Sequence, residues 1–157
     1  MAFDADVIIV GAGPAGMSAA LVLARACRTV IMFDHGHPRN AATKHMHGFL
    51  SREGIDPAEF RRITREDLKK YDSVRLEHAE VAECTCIEGG FEIMLVDRRK
   101  FRSRKLLIAT GVLDNVPDVP GLRDFYGQSV FHCPFCDGWE SFRPDPSWPV
   151  PPLLDRP

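Results

Sequence analysis

Apolar residues along this chain fall first into short unbroken runs. Asp6-Val7-Ile8-Ile9-Val10 is a continuous β-branched stretch, and Thr29-Val30-Ile31-Met32-Phe33 repeats the pattern before ending at Asp34. Unbroken runs are expected of strands covered on both faces, as in a parallel sheet. Between them, Pro14 to Ala26 is dominated by Ala15, Ala19, Ala20, Leu23 and Ala24. Residues this small suit a helix lying close against the sheet, so the segment predicts a complete βαβ unit.

The pattern then loosens. A polar, histidine-containing connection runs from His35 to Asp56. Pro57 marks a helix start, and Phe60, Ile63, Leu68 and Tyr71 give an amphipathic helix to about Tyr71. Val74 to Leu76 reads as a third strand. Val81 to Ile87, Phe91 to Val96 and Lys100 to Arg104 are separated by Glu88-Gly89-Gly90 and Asp97-Arg98-Arg99, the spacing of an antiparallel meander. Leu106-Leu107-Ile108-Ala109 predicts a further buried strand closing on Thr110-Gly111. Pro117, Pro120 and Gly121 mark a linker. Beyond residue 140 the prolines crowd together, and a disordered tail over 141–157 is expected.

Composition narrows the class. A chain of 157 residues with 45% apolar and 27% charged residues has material for one core. Its net charge of −2, with acids and bases interspersed, argues against nucleic acid or an anionic membrane as partner. The basic run Arg98-Arg99-Lys100 reads as the solvated face of a hairpin. The apolar stretch from Val7 to Ala26 follows Asp4 and Asp6 rather than basic residues and is broken by a glycine turn, so it is not read as a signal peptide. A cytoplasmic location is expected, where a close cysteine pair is redox-active or metal-binding rather than structural.

Two motifs carry the chemistry. The first is Gly11-Ala12-Gly13-Pro14-Ala15-Gly16, between strand and helix. Gly11 permits the tight turn, Gly13 lets the backbone approach a pyrophosphate, and Gly16 lets the helix lie close to the sheet. The pyrophosphate meets backbone N–H groups and the positive end of the helix dipole. Asp34, at the end of the second strand, stands where a carboxylate accepts hydrogen bonds from a ribose hydroxyl and disfavours a 2′-phosphate. The fingerprint alone leaves FAD and NAD open.

The second motif is Cys133-Pro134-Phe135-Cys136-Asp137-Gly138. Cysteines at i and i+3 in a first helical turn lie within disulfide reach, and the helix dipole favours a thiolate. Asp137 is placed to exchange a proton with its neighbouring sulfur. A zinc site would need two further ligands, and Cys84-Thr85-Cys86 supplies a CxC on one face of a strand, where cysteines behave as small apolar residues. Redox chemistry is therefore preferred and no metal is expected. His45 and His47 are read as loop or flavin-contact residues, and His132 as a neighbour able to tune Cys133.

With these residues in place, the chain resembles the FAD-dependent pyridine nucleotide–disulfide oxidoreductases of the low-molecular-weight thioredoxin reductase type, and more closely the thioredoxin-reductase-like flavoproteins that include dithiol oxidases. The matching stretches are Asp6 to Gly16, Arg39-Asn40, His45 to Arg52, Ala109-Thr110-Gly111 and His132 to Glu140. The resemblance implies an α/β fold with a Rossmann-like FAD-binding domain, a parallel sheet plus β-meander, incomplete relative to the family. It divides the chain into 1–112 for the FAD-binding part, 113–140 for the linker and CxxC opening of a second domain, and the tail. FAD would be held by Gly11, Gly13, Pro14, Ala15, Gly16, Asp34, Asn40, His47 and the Ala109-Thr110-Gly111 closure. Cys136 would lie against the flavin, Cys133 would attack a substrate disulfide, and Asp137 would handle the proton. Relatives pass electrons from NADPH through FAD to a protein or small-molecule disulfide, or from a dithiol to oxygen, and a homodimer follows by the same resemblance.

The sequence departs from that family after Glu140. It contains no second GxGxxG, and the expectation is a truncated or frameshifted relative without its own NADPH site. Uncovered apolar surface would cost roughly 25 cal/mol per Å² of burial lost, lowering stability and FAD affinity. The alternative to an FAD-dependent thiol/disulfide oxidoreductase is a non-catalytic remnant, a partial FAD-binding module without turnover.

Overall fold

The computed structural model describes residues 2–131 and 133–142, so His132 and the Pro-rich residues from 143 onward lie outside it. Two compact units are present. The first comprises the described residues up to Ala41 with Pro57–Asn115, the second Ala42–Asp56 with the described residues from Val116 on.

In the first unit a six-stranded sheet has the order β3-β2-β1-β6-β5-β4. The strands are β1 (Ala5–Val10), β2 (Val30–Asp34), β3 (Val74–His78), β4 (Val81–Ile87), β5 (Gly90–Leu95) and β6 (Lys100–Ile108). Strands β3, β2, β1 and β6 run parallel, while β5 is antiparallel to both β4 and β6. Helix α1 (Pro14–Arg25) crosses from β1 to β2, and α2 (Pro57–Leu68) precedes β3. This is the α/β architecture the apolar runs predict.

Both faces of β1 and β2 are covered, which explains their unbroken hydrophobicity. On one face Val7, Ile9, Val30 and Met32 pack with Met17 and Ala20 of α1 and Leu68 of α2. On the other, Ile8, Ile31 and Phe33 pack with Ile93 and Leu95 of β5, and with Val81 and Phe101 at the margin. The meander thus folds over the face opposite the helices. At the open end of the sheet, the Asp6 carboxylate accepts hydrogen bonds from the N–H and hydroxyl of Thr29. Those bonds tie the start of β1 to the start of β2 and hold the Asp6 carboxyl below the usual aspartate range, the backbone bond contributing most.

Two expectations change. The pieces Lys100–Arg104 and Leu106–Ala109 form one strand, antiparallel to β5 over Lys100–Ser103 and parallel to β1 over Ser103–Ile108. Ser103 is the pivot: it pairs with Phe91 on one side and Ala5 on the other, is fully buried, and donates its hydroxyl to the Lys105 carbonyl at 2.7 Å. The charges of Arg102, Arg104 and Lys105 interrupt the apolar pattern without interrupting the strand. Second, Cys84 and Cys86 are free and exposed rather than packed, because β4 is an outer strand with β5 as its one neighbour. Partial burial around the sulfur, and secondarily the Glu83 charge, push the Cys84 thiol up, which disfavours the reactive thiolate.

In the second unit, residues 46–55 form a closed loop. Met46 N–H bonds to the Ile55 carbonyl at 2.8 Å, and Gly54 N–H to the Met46 carbonyl at 2.9 Å. A short helix α3 (Leu122–Phe125) and helix α4 (Pro134–Phe142) follow. Among the described residues no helix is long and apolar enough to cross a membrane.

Candidate functional site

The first unit carries a cleft of about 900 Å³ at the C-terminal ends of the parallel strands. Ligands in open α/β sheets are bound at that end, where the strands hand over to loops and helix N-termini. Its floor is the glycine turn. Gly11 has φ +104°, the left-handed region glycine alone enters readily. Any side chain there would also collide with the Ala109 carbonyl, 2.3 Å from an ideal Cβ. Gly13, by contrast, faces open space, with no atom within 4 Å of where a Cβ would stand. Gly13 caps α1 with no side-chain hydrogen bond, Pro14 is its first residue, and no acid sits in its first turn. The helix therefore meets the cleft with its positive end unoccupied by any side chain of its own, and its first-turn N–H groups lack intrahelical acceptors.

Gly11, Gly13, Pro14, Ala15, Asp34, Asn40, Ala109, Thr110 and Gly111 all line this one cleft. Gly16 does not. It lies beneath the turn, where an added Cβ would come within 2.0 Å of the Gly11 carbonyl. Asp34 stands directly beside the turn, since the Gly11 N–H donates to the Phe33 carbonyl at 2.8 Å. One carboxylate oxygen of Asp34 accepts the Gly36 N–H at 3.1 Å, and the other lies 2.9 Å from a guanidinium nitrogen of Arg65.

Sequence reasoning missed the cleft's basic wall. Arg61 and Arg65 of α2 line it together with Arg39. Arg39 binds Asp114 in bidentate fashion, Nε and Nη2 at 2.6–2.9 Å from its oxygens. Arg61 donates to the Asn40 side-chain carbonyl at 3.2 Å. The signal was present in the sequence, because Arg61 and Arg65 are one helical turn apart and so share a face.

The remaining candidates belong to the second unit. Cys133 and Cys136 form a disulfide at the start of α4, and the Cys136 N–H points at the Cys133 sulfur, 3.1 Å away. Asp137 follows in the first turn of the helix, half-buried. His47 is part of the 46–55 loop. Its Nδ1 lies 2.8 Å from one Glu53 carboxylate oxygen, and the other accepts the Gly48 N–H at 2.8 Å. An ionised carboxylate only accepts, so in this contact Nδ1 carries the proton and donates. The His47 contact first, and the Gly48 bond second, hold the Glu53 carboxyl below the usual glutamate range. A carboxyl depressed in the folded state stabilises it at pH above the unfolded value, and that contribution disappears as pH falls through the folded one. Protection of the Gly48 amide from hydrogen exchange should therefore fall in acid, and Glu53→Gln should show reduced protection at neutral pH with no further acid dependence from this group. Equal protection in both proteins at neutral pH would refute the closure.

Residues 5–143 match the pyridine nucleotide-disulphide oxidoreductase family, and the chain belongs to that enzyme family. A curated thioredoxin reductase of Claviceps purpurea, tcpT, is 40% identical over 138 residues, which is 86% of this chain and 43% of that protein. The thioredoxin reductase aclD of Aspergillus oryzae is 38% identical, over 86% of this chain and 44% of its own length. The solved structure of an oxidoreductase from Agrobacterium tumefaciens superposes with a TM-score of 0.82 at 37% identity, covering 89% of this chain and 47% of the other. The chain spans less than half the length of each.

Proposed function

We propose that this chain binds FAD in the cleft and takes part in FAD-dependent thiol/disulfide exchange of the thioredoxin reductase type. The observation that carries the reading is the cleft itself: a glycine turn with open space at Gly13, a helix N-terminus with no side-chain cap, and a carboxylate at the end of β2. These features fit the adenosine diphosphate half of a dinucleotide. The flavin supplies a two-electron acceptor and donor when bound.

The chain's own residues supply the rest. The backbone N–H groups of Gly13 and Ala15 receive the pyrophosphate, with Pro14 fixing the first turn of the helix between them, and Asp34 accepts the ribose hydroxyls. Arg61 adds positive charge along the wall, while Arg65 is paired with Asp34. The pair Cys133 and Cys136 cycles between dithiol and disulfide, losing two electrons and two protons on oxidation, with Cys133 exchanging with a disulfide or dithiol substrate. Asp137 takes up and returns the proton of the neighbouring thiol.

The test uses the full chain loaded with FAD. Anaerobic dithiothreitol should bleach the flavin absorbance in the wild type, while Cys136→Ser should bind FAD equally well and resist bleaching. A colourless protein that takes up no FAD overturns the binding assignment; a Cys136→Ser variant bleached as fast as wild type overturns the role of the pair.

A further inference from the structure

We propose that Arg65 is a positioning residue for Asp34, setting the chain's affinity for the adenosine end of its cofactor; this rests on the FAD reading of the cleft. The ribose-facing acid ends β2, and its side chain is 16% exposed. Left to itself, an aspartate at a strand end samples several rotamers. Here both oxygens are anchored, Oδ1 by the Gly36 N–H and Oδ2 by Arg65. Each oxygen retains a further lone pair, so an anchored carboxylate still accepts from two adjacent hydroxyls. The guanidinium also balances the carboxylate charge beside the expected pyrophosphate, which Asp34 alone would repel.

Two observations separate this pair from an ordinary surface ion pair. Arg65 arrives from α2, thirty-one residues along the chain, and α2 is held in place independently by the burial of Phe60 and Leu68. In addition, the Arg65 Nε is buried and has no hydrogen-bond partner. An unsatisfied buried donor is costly, and an arginine free to optimise its own bonding would not strand one. Its neighbours do not: Arg39 spends Nε and Nη2 on Asp114. The packing of α2 therefore places the Arg65 guanidinium against Asp34 rather than where its donors are best satisfied.

The experiment compares wild type, Arg65→Met, Arg65→Lys, Asp34→Asn and the Asp34→Asn/Arg65→Met double variant in the full chain. Dissociation constants for FAD and for ADP are measured by calorimetry, with apo melting temperatures alongside. Arg65→Met should weaken FAD and ADP alike by about tenfold, and Arg65→Lys should recover part of the loss. In the Asp34→Asn background, Arg65→Met should change either affinity by less than about twofold. Equal losses with and without the Asp34 carboxylate would overturn the inference. If Arg65→Met lowers the apo melting temperature, the comparison of backgrounds decides: a loss of ADP affinity confined to the chain that keeps the Asp34 carboxylate supports positioning, and the same loss in the Asp34→Asn background overturns it. A wild type that binds neither FAD nor ADP removes the FAD reading and this inference together, whereas a wild type that binds both without coupling removes only the inference.

Discussion

Replacing Gly16 by valine is expected to cost about 3 kcal/mol or more, a large fraction of the stability of a domain this size. The ideal Cβ at this position lies 2.0 Å from the Gly11 carbonyl oxygen and 3.3 Å from the Ile9 side chain. The Ile9 side chain would have to give by a few tenths of an ångström, and the carbonyl cannot yield. The carbonyl belongs to a turn held at φ +104°, and the space where Gly11 would itself carry a Cβ is taken by the Ala109 backbone. Three backbone segments, the turn after β1, the first turn of α1 and the end of β6, thus meet with no room for a methyl group. The denaturation midpoint of the apo protein measures the effect. A midpoint within error of wild type would mean that α1 does not pack on the turn as described.

Gly13→Asp should behave in the opposite way. Gly13 has φ −76°, an ordinary value for any residue, and open space where its side chain would go. It also caps α1, a position where aspartate is favoured over glycine by a few tenths of a kcal/mol. The apo protein should be as stable as wild type or slightly more so. FAD affinity should nevertheless fall by more than about 100-fold, because a carboxylate beside the pyrophosphate adds like-charge repulsion worth several kcal/mol. Melting temperature and FAD titration read the two effects separately. A variant that keeps FAD would show that the pyrophosphate does not lie over this turn. Two glycines three residues apart thus have separable duties, one in the fold and one toward the ligand.

Much of this was legible in the chain. The unbroken runs at Val7–Val10 and Val30–Phe33 require burial on both faces, and both faces are buried. The glycine spacing, the acid at Asp34 and the close of β6 at Ala109-Thr110-Gly111 converge on one cleft because parallel strands bring their C-terminal ends together. The i, i+3 spacing of Cys133 and Cys136 placed them within disulfide reach, since one helical turn brings those positions together. Such features are local or follow from topology, and sequence patterns report both.

Other features were not legible. The double pairing of β6 depends on a fully buried serine flanked by arginines, and no periodicity distinguishes one bent strand from two short ones. The exposure of Cys84 and Cys86 depends on β4 being outermost, which is a property of strand order rather than of the strand's residues. The basic wall and the Arg65 contact depend on where α2 lies over the sheet.

The sequence by itself determined the βαβ unit, the glycine turn and the cysteine pair, because steric and hydrophobic rules act over a few residues. Tertiary structure alone decided which side chain holds Asp34, since an ion pair between groups thirty-one residues apart exists only once α2 has packed.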